Sequence, residues 1–122
     1  MKRAAGILMP VSSLPSPHGI GSLGKEAYRF VDFLAAAGQR YWQILPIGPT
    51  GYGDSPYQSF SAFASNPYFI DLDTLVQNGL LTQAEVDAAD FGTDPAHVDY
   101  YKLYKERYPL LKLAAGRFDR AQ

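Results

Sequence analysis

The chain has 122 residues, of which 47% are apolar and 19% are charged, and this ordinary globular composition argues against disorder. The formal net charge of -1 gives no overall attraction to nucleic acid or to an anionic membrane. The sequence contains no cysteine, which excludes disulfides, thiolate metal sites and cysteine nucleophiles. No apolar stretch has the length of a membrane span.

The distribution of charge is more informative than its sum. Between Tyr41 and Tyr101 there is no lysine or arginine, whereas the same stretch contains eight acidic residues. Phosphate and nucleic-acid sites usually recruit basic side chains, so such a site is disfavoured in the middle of the chain. A neutral ligand with many hydroxyl groups fits this stretch better.

Two short apolar runs predict parallel strands. Residues 6–10 end at Pro10 and residues 41–45 end before Pro46, and both runs are typical of strands buried on both faces of a parallel sheet. The basic residues Lys2 and Arg3 ahead of the first run leave secretion as an alternative, although Pro10 argues against a signal peptide. We expect a cytoplasmic protein, because the absence of cysteine is compatible with a reducing compartment.

A helix is predicted between the two strands, over residues 25–37, with Gly38 as its stop. Apolar residues recur at helical spacing and predict one buried face, formed by Ala27, Phe30, Val31, Leu34 and Ala35. Strand, helix and strand together make a βαβ unit, whose loops at the carboxyl ends of the strands are where ligands bind in α/β folds.

Accessory helices are predicted over residues 73–120. Asp73 is a candidate cap for a first short helix that Gly79 ends, and Thr82 with Glu85 forms a capping box for a second helix over residues 83–89. For that box, Leu81 and Val86 occupy the positions of a hydrophobic staple.

The last accessory helix is predicted to start at Asp99 and to kink or restart at Pro109. Its inner face is formed by Leu103, Tyr104, Leu111 and Ala114.

The two predicted strands need neighbouring strands on both edges and helices on both faces of the sheet, but the sequence predicts only one covering helix and a few accessory ones. A closed (β/α)₈ barrel requires about 250 residues. The residues therefore predict an α/β fold that is the first part of a larger domain. We expect the isolated chain to expose apolar surface and to associate or misfold.

The principal functional feature is the loop over residues 48–68, with the sequence GPTGYGDSPYQSFSAFASNPY. It contains three glycines, three prolines and three tyrosines, and a loop of this length is usually functional. Tyr52 and Tyr57 offer flat rings for stacking on sugar rings, while Asp54 and Ser55 offer partners for sugar hydroxyls. Composition alone leaves two interpretations of these tyrosines open, sugar contact and structural packing.

The loop's other aromatic residues are predicted to be core anchors. They are Phe60, Phe63 and Tyr68. The GPTGYG run lacks the Gly-Lys-Ser/Thr ending of a P-loop, so it is weak evidence for a phosphate site.

No catalytic set and no metal-ligand spacing is visible. Glycoside chemistry requires two carboxyl groups at the scissile bond, and Asp54 is the single acid of the loop. Asp71 and Asp73 would share a face on a strand, but one or both are expected to cap the following helix. His18 lies in a Pro/Gly loop far from His97, and both are expected to be solvated.

One family resemblance emerges from these motifs. The run RYWQILPIGPTGYGDSPYQSFSAFASNPYFIDL over residues 40–72 closely resembles the 4-α-glucanotransferases, the amylomaltases or disproportionating enzymes of glycoside hydrolase family 77. The run SSLPSPHGIGSLG over residues 12–24 is similar to the same family's opening loop.

The resemblance implies an α/β fold that is the first βαβ portion of a (β/α)₈ TIM barrel with accessory helices, and incomplete. It also implies that the whole barrel transfers α-1,4-glucan segments between malto-oligosaccharides with retained configuration, without a metal or organic cofactor. It places Tyr52, Asp54, Ser55 and Tyr57 on the glucan groove. The catalytic carboxylates of the family belong to later strands, so this chain would supply binding loops, contain no catalytic residue and require the C-terminal part of the barrel.

The expected partner is a malto-oligosaccharide or a starch-like glucan, with no nucleic-acid or membrane partner. Two alternatives stay open: a non-catalytic glucan-binding fragment, and a barrel enzyme acting on phosphorylated small molecules.

Overall fold

A computed structural model describes residues 2–49, 64–94 and 96–121. Two parallel strands, β1 (Gly6–Leu8) and β2 (Tyr41–Gln43), pair in the register Gly6 to Tyr41 and Leu8 to Gln43. They are joined by helix α1 (Lys25–Ala36). The predicted βαβ order and the parallel pairing are confirmed.

Both strands are shorter than predicted. Met9 N still donates to Gln43 O at 2.9 Å beyond the end of β1. The pairing stops there because Pro10 has no backbone N–H to continue it.

The two strands are not buried on both faces within the described chain, and this agrees with the expectation that the isolated chain exposes apolar surface. Ile7 and Leu8 are 41% and 58% exposed, and Trp42 is half-buried. The described residues contain a two-stranded sheet with one covering helix, which is too little to cover both faces of a parallel sheet.

Helix α1 packs on the sheet through Ala27, which is buried with Phe30 and Trp42 around it. The Phe30 and Trp42 rings meet edge to face at 4.9 Å between centroids. The helix ends as predicted before Gly38, whose φ of +78° glycine adopts without steric cost. The predicted buried face is only partly correct, because Val31 and Ala35 are exposed.

The accessory region forms a separate packing layer. It contains α2 (Leu72–Gln77), α3 (Gln83–Asp87), α4 (Tyr100–Lys102), a π-helical turn (Leu103–Arg107) and α5 (Tyr108–Ala121). Buried apolar side chains of this region form its core: Leu72, Leu81, Val86, Leu103, Leu110 and Ala114. Ile20, from the loop after β1, packs among them, and α4 contributes no buried side chain.

The helix starts in this region follow the predicted chemistry in two of three cases. The capping box of Thr82 and Glu85 is present, and Asp99 caps α4 by accepting from Lys102 N. Asp73 does not cap α2. Asp71 does, two residues earlier, which confirms the expectation that one or both of Asp71 and Asp73 cap this helix. The Asp73 carboxylate is thus available for another contact.

The interruption of the helix predicted at Pro109 is confirmed, and it takes the form of a π-helical turn. The turn ends at Arg107, two residues before the proline, and regular α-helix restarts at Tyr108. A π-turn widens the backbone where proline cannot donate to the preceding turn. The prediction that Tyr104 lies on the inner face of the last helix is wrong, because Tyr104 is 66% exposed.

Candidate functional site

The loops that follow β1 and β2 leave the same edge of the sheet, because the strands are parallel. We call residues 12–24 the opening loop and residues 66–71 the return segment. The two are joined by a backbone hydrogen bond from Leu23 N to Phe69 O of 2.9 Å. In α/β sheets this edge is the usual place for ligands.

The loop between β2 and the return segment has a closed base, which we call the loop stem. Asn66 N donates to Ile47 O at 2.6 Å, so the chain leaves and returns at adjacent points. The buried Asn66 side chain accepts from Tyr68 N at 2.9 Å and starts a short 3₁₀ turn at Pro67. A loop whose ends meet in this way is typical of functional surface loops.

Tyr68 is the one predicted loop anchor that the structure describes, and the prediction is confirmed. Its ring is buried and lies 5.3 Å from the Tyr108 ring and 6.2 Å from the Tyr100 ring, between centroids. The accessory helices therefore hold the end of the loop. Phe60 and Phe63 lie outside the described residues.

The four residues predicted to contact glucan also lie outside the described residues. They are Tyr52, Asp54, Ser55 and Tyr57. The choice between sugar contact and structural packing for the two tyrosines therefore stays a prediction, and the structure contributes the stem from which the loop emerges.

Beside the return segment lies a cavity of about 930 Å³, which we call the loop groove. Its walls are the opening loop and the residues around Phe91. Its described lining includes the hydroxyls of Ser12, Ser13 and Ser16 and the carboxylates of Asp71 and Asp73, beside apolar groups such as Phe91. This lining is suited to hydrogen bonding with a polyhydroxyl ligand.

The Asp71 carboxylate links the opening loop to α2. It accepts from Ser22 Oγ at 2.8 Å, from Thr74 N at 3.0 Å and from Thr74 Oγ1 at 2.7 Å. Burial raises the pKa of Asp71, but the hydrogen bonds from Thr74 and Ser22 outweigh burial, so its pKa lies below the ordinary value. Gly24 is required at the start of α1, because a Cβ there would overlap this carboxylate.

His18 is not solvated, in contrast to the expectation from its loop position. The residue is 8% exposed, its Nε2 lies 2.9 Å from Asp73 Oδ1, and its ring contacts the Phe91 ring edge to face. The Asp73 carboxylate is available for this pairing because Asp71 caps α2. The second histidine, His97, is exposed as expected, with Nδ1 2.8 Å from Asp94.

Arg107 is the residue that sequence reasoning missed. Its side chain is fully buried, and its guanidinium donates to His18 O at 3.2 Å and to Ile70 O at 2.6 Å. Burial lowers the pKa of Arg107 from its ordinary value to about 10, with the charge of Asp71 opposing this shift. Its Nε has no hydrogen-bond partner among the described residues. One side chain from the π-helical turn thus joins the opening loop to the return segment.

Asp71 and Asp73 are both engaged, Asp71 as a helix cap and Asp73 as the partner of His18. That this chain contains no catalytic residue stays a prediction. Within residues 2–49, 64–94 and 96–121 there is no group of three or more potential ligands for a metal ion.

The sequence profile of the 4-alpha-glucanotransferases, glycoside hydrolase family 77, matches residues 9–122. The chain belongs to this family. The family predicted from the two loop motifs is therefore confirmed, and members of it are named as glucan-transferring enzymes.

Individual relatives support the same assignment. The chain is 61% identical over 117 residues to the 4-alpha-glucanotransferase of Streptococcus pneumoniae and 54% identical over 118 residues to that of Thermus thermophilus. These alignments cover 96% and 97% of this chain but 23% of each relative. The chain therefore spans about a quarter of the length of the relatives it matches.

A solved structure agrees over the same part. The amylomaltase from Streptococcus agalactiae in complex with acarbose superposes with a TM-score of 0.94 at 49% identity, over 98% of this chain and 24% of that chain. The partial α/β fold is thus the one that this amylomaltase has in its corresponding part. Among the described helices, none is long and apolar enough to cross a membrane.

Proposed function

We propose that this chain is the N-terminal portion of a 4-α-glucanotransferase of the (β/α)₈ class, which transfers α-1,4-glucan segments between malto-oligosaccharides with retained configuration. The observation that carries the proposal is the superposition, at 49% identity, on an amylomaltase whose structure contains acarbose, a sugar-like ligand. The closed loop stem supports it, because this chain fixes the base of the predicted glucan loop with its own contacts.

In this proposal the chain binds substrate and the remainder of the enzyme performs the chemistry. Tyr52 and Tyr57 stack on glucose rings, and Asp54 and Ser55 accept or donate hydrogen bonds at glucose hydroxyls. A retaining mechanism requires a nucleophilic carboxylate and an acid–base carboxyl group about 5–5.5 Å apart. Both are supplied from outside this chain. The enzyme works without a metal or organic cofactor and in the cytoplasm.

The test is a covalent chimera in which this chain replaces the aligned 117-residue segment of the Streptococcus pneumoniae relative. Incubated with maltoheptaose, the chimera should produce a ladder of longer and shorter maltodextrins, whereas this chain alone should leave maltoheptaose unchanged. An inactive but folded chimera would contradict the proposal, and a ladder from the chain alone would reveal a catalytic set within it.

The same chimera tests the role of the loop tyrosines. Loss of a buried aromatic contact costs about 1.5–3 kcal/mol, so Tyr57→Ala should lower kcat/KM for maltoheptaose at least tenfold. Tyr57→Phe should retain most of the activity, because the ring face remains. Phe118→Ala, at an exposed aromatic residue of α5, is the matched control. Equal activities for Tyr57→Ala and the control would favour the packing interpretation.

A second candidate function is a glucan-binding fragment without catalysis. It is favoured by the loop stem and the Arg107 contacts, which anchor the loop within this chain. Calorimetric titration of the wild-type chain with maltoheptaose distinguishes the two candidates. Binding by the chain together with an inactive chimera would support the fragment, and absence of binding by the chain would remove it.

A further inference from the structure

The loop groove is walled by the opening loop, by the residues around Phe91 and by the starts of α1 and α2. Its described lining includes no residue of β1 or β2, and from α1 only Lys25 and Glu26 of the first turn. Its volume of about 930 Å³ falls within the range of ligand pockets, roughly 300–1,000 Å³. The groove is thus a ligand-sized site whose described walls do not depend on the sheet.

The chemistry of the lining limits the class of ligand. Against one lysine, Lys25, and the exposed His97, the described lining contains four carboxylates: Glu26, Asp71, Asp73 and Asp94. An anion is disfavoured there, because like charges repel and anion sites recruit basic side chains. A ligand rich in hydrogen-bond donors fits the carboxylates, and the serine hydroxyls of the opening loop can donate to it or accept from it.

The four carboxylates differ in the capacity that they retain for a ligand. Both oxygens of Asp71 and both oxygens of Asp94 have partners within 3.0 Å in the protein. Glu26 pairs through Oε1 with Arg29, whose exposed side chain does not hold it in one geometry. Asp73 differs from all three, because one of its oxygens is fixed by a buried partner and the other is open.

The partner that fixes Asp73 is His18. Asp73 Oδ1 lies 2.9 Å from His18 Nε2, whereas Asp73 Oδ2 accepts from no residue within the described ranges 2–49, 64–94 and 96–121. The His18 side chain is 11% exposed and that of Asp73 is 36% exposed. The His18 ring packs edge to face on Phe91 with 5.8 Å between centroids, and the His18 carbonyl accepts from Arg107. Asp73 is therefore an acceptor oriented in advance, which lowers the entropic cost of binding a donor.

We propose that Asp73 is a substrate-binding residue, which accepts a hydrogen bond from a glucan hydroxyl in the loop groove, and that His18 is its positioning residue. The inference rests on the proposed function for the identity of the sugar. It extends the substrate contacts from the predicted glucan loop to the groove beside the return segment. The opening loop and the glucan loop leave the same edge of the sheet, so the two binding surfaces are neighbours.

The first experiment measures maltoheptaose kinetics on variants of the covalent chimera. A hydrogen bond to a charged group is among the stronger kinds, so Asp73→Ala should raise KM about tenfold or more. The kcat value should stay within about twofold, because the lost contact is made equally in the ground state and the transition state. Asp73→Asn keeps a neutral acceptor and should raise KM about threefold.

The matched control is Asp87→Ala in α3. Asp87 is an exposed aspartate with one oxygen bonded to a side chain, Gln83 at 2.9 Å, and it does not line the groove. Its KM should not change. An Asp73→Ala chimera with the KM of the wild-type chimera would overturn the inference.

A double-mutant cycle tests whether His18 acts through Asp73. His18→Leu should raise KM about threefold, but should have little further effect in the Asp73→Ala background. His18→Gln retains an N–H donor and should restore most of the loss. A purely structural role would lower the melting temperature without this coupling, so equal effects of His18→Leu in both backgrounds would overturn the positioning role. Asp73→Ala alters a partly exposed side chain and decides the binding role even where His18→Leu does not fold.

Calorimetric titration of the chimera with maltoheptaose separates this inference from the proposed function. An active chimera whose KM is insensitive to Asp73→Ala would leave the function standing and overturn the inference. A folded, inactive chimera that binds maltoheptaose, and binds it about tenfold more weakly after Asp73→Ala, would have the opposite meaning. A folded chimera with neither activity nor binding would overturn both.

Discussion

Replacing Arg107 by methionine tests whether this side chain fixes the loops of the site. The variant removes two hydrogen bonds from an ionised donor, each contributing roughly 1.5–3 kcal/mol, and leaves the His18 and Ile70 carbonyls without these donors. It also removes a buried charge whose pKa burial has lowered to about 10, a penalty of roughly 3 kcal/mol. The two effects nearly offset each other, and we expect a net loss of about 1 kcal/mol.

The loss should be local, because both carbonyls belong to loop segments. Hydrogen exchange, measured by mass spectrometry on the covalent chimera, should be about fivefold faster in the return segment, residues 66–71, and around His18 in the opening loop. Arg107→Ala also leaves a cavity against Phe91, which costs about 2 kcal/mol more, so its exchange should be over a hundredfold faster.

Arg29→Met is the control, because it removes an exposed arginine whose partner is Glu26 in the same helix. Such a surface pair contributes about 0–1 kcal/mol. Exchange in the return segment should not change in this variant. Slower exchange in Arg107→Met would show that the burial penalty exceeds the hydrogen bonds and would refute the view of Arg107 as a clamp.

Three further predictions concern caps and acid stability. Thr82→Ala removes one half of the capping box and should destabilise α3 by about 1 kcal/mol, measured by exchange of the Glu85 amide. Hydrogen bonds from Arg117 and from the Thr82 backbone lower the pKa of Glu85 from 4.5 to about 2, so the stability that its ionised form contributes is present above pH 4.5 and is lost as pH falls toward 2. Between pH 4.5 and 2 the midpoint of urea unfolding should depend less on pH in Glu85→Gln than in the wild-type protein. An identical pH dependence of the two proteins would show that ionised Glu85 does not contribute this stability. Gly24→Ala should displace the Asp71 carboxylate and weaken the cap of α2 by about 1 kcal/mol, seen as faster exchange at the start of α2; unchanged exchange would show that the loop shifts instead.

The sequence predicted those features that neighbouring residues determine. The capping box at Thr82, the helix stop at Gly38 and the interruption before Pro109 each depend on side chains within a few positions of one another, and all three are confirmed. The parallel pairing was also predictable, because a single helix between two short apolar runs leaves few other connections.

The wrong predictions concern side chains whose burial depends on contacts between distant segments of the chain. His18 is buried because Phe91 and Asp73, more than fifty residues away, close over it, and no local pattern indicates this. The sequence does contain an indication that Arg107 is buried, because Arg107 recurs at helical spacing with the buried Leu103 and Leu110 on one helix face. A charged residue in an apolar stripe indicates a buried hydrogen-bonding role.

The accessory helices therefore hold the return segment, where the chain comes back from the predicted glucan loop, in place. The loop returns to the fold through Tyr68, whose ring is held between Tyr100 and Tyr108, and through Ile70, whose carbonyl is held by Arg107. All three of these partners come from the stretch that spans α4, the π-helical turn and the start of α5. The π-turn adds one residue to a helical turn and so sets the phase between Tyr100 and Tyr108 on either side of it. The position of the return segment therefore depends on the accessory layer as well as on the loop stem at Ile47 and Asn66.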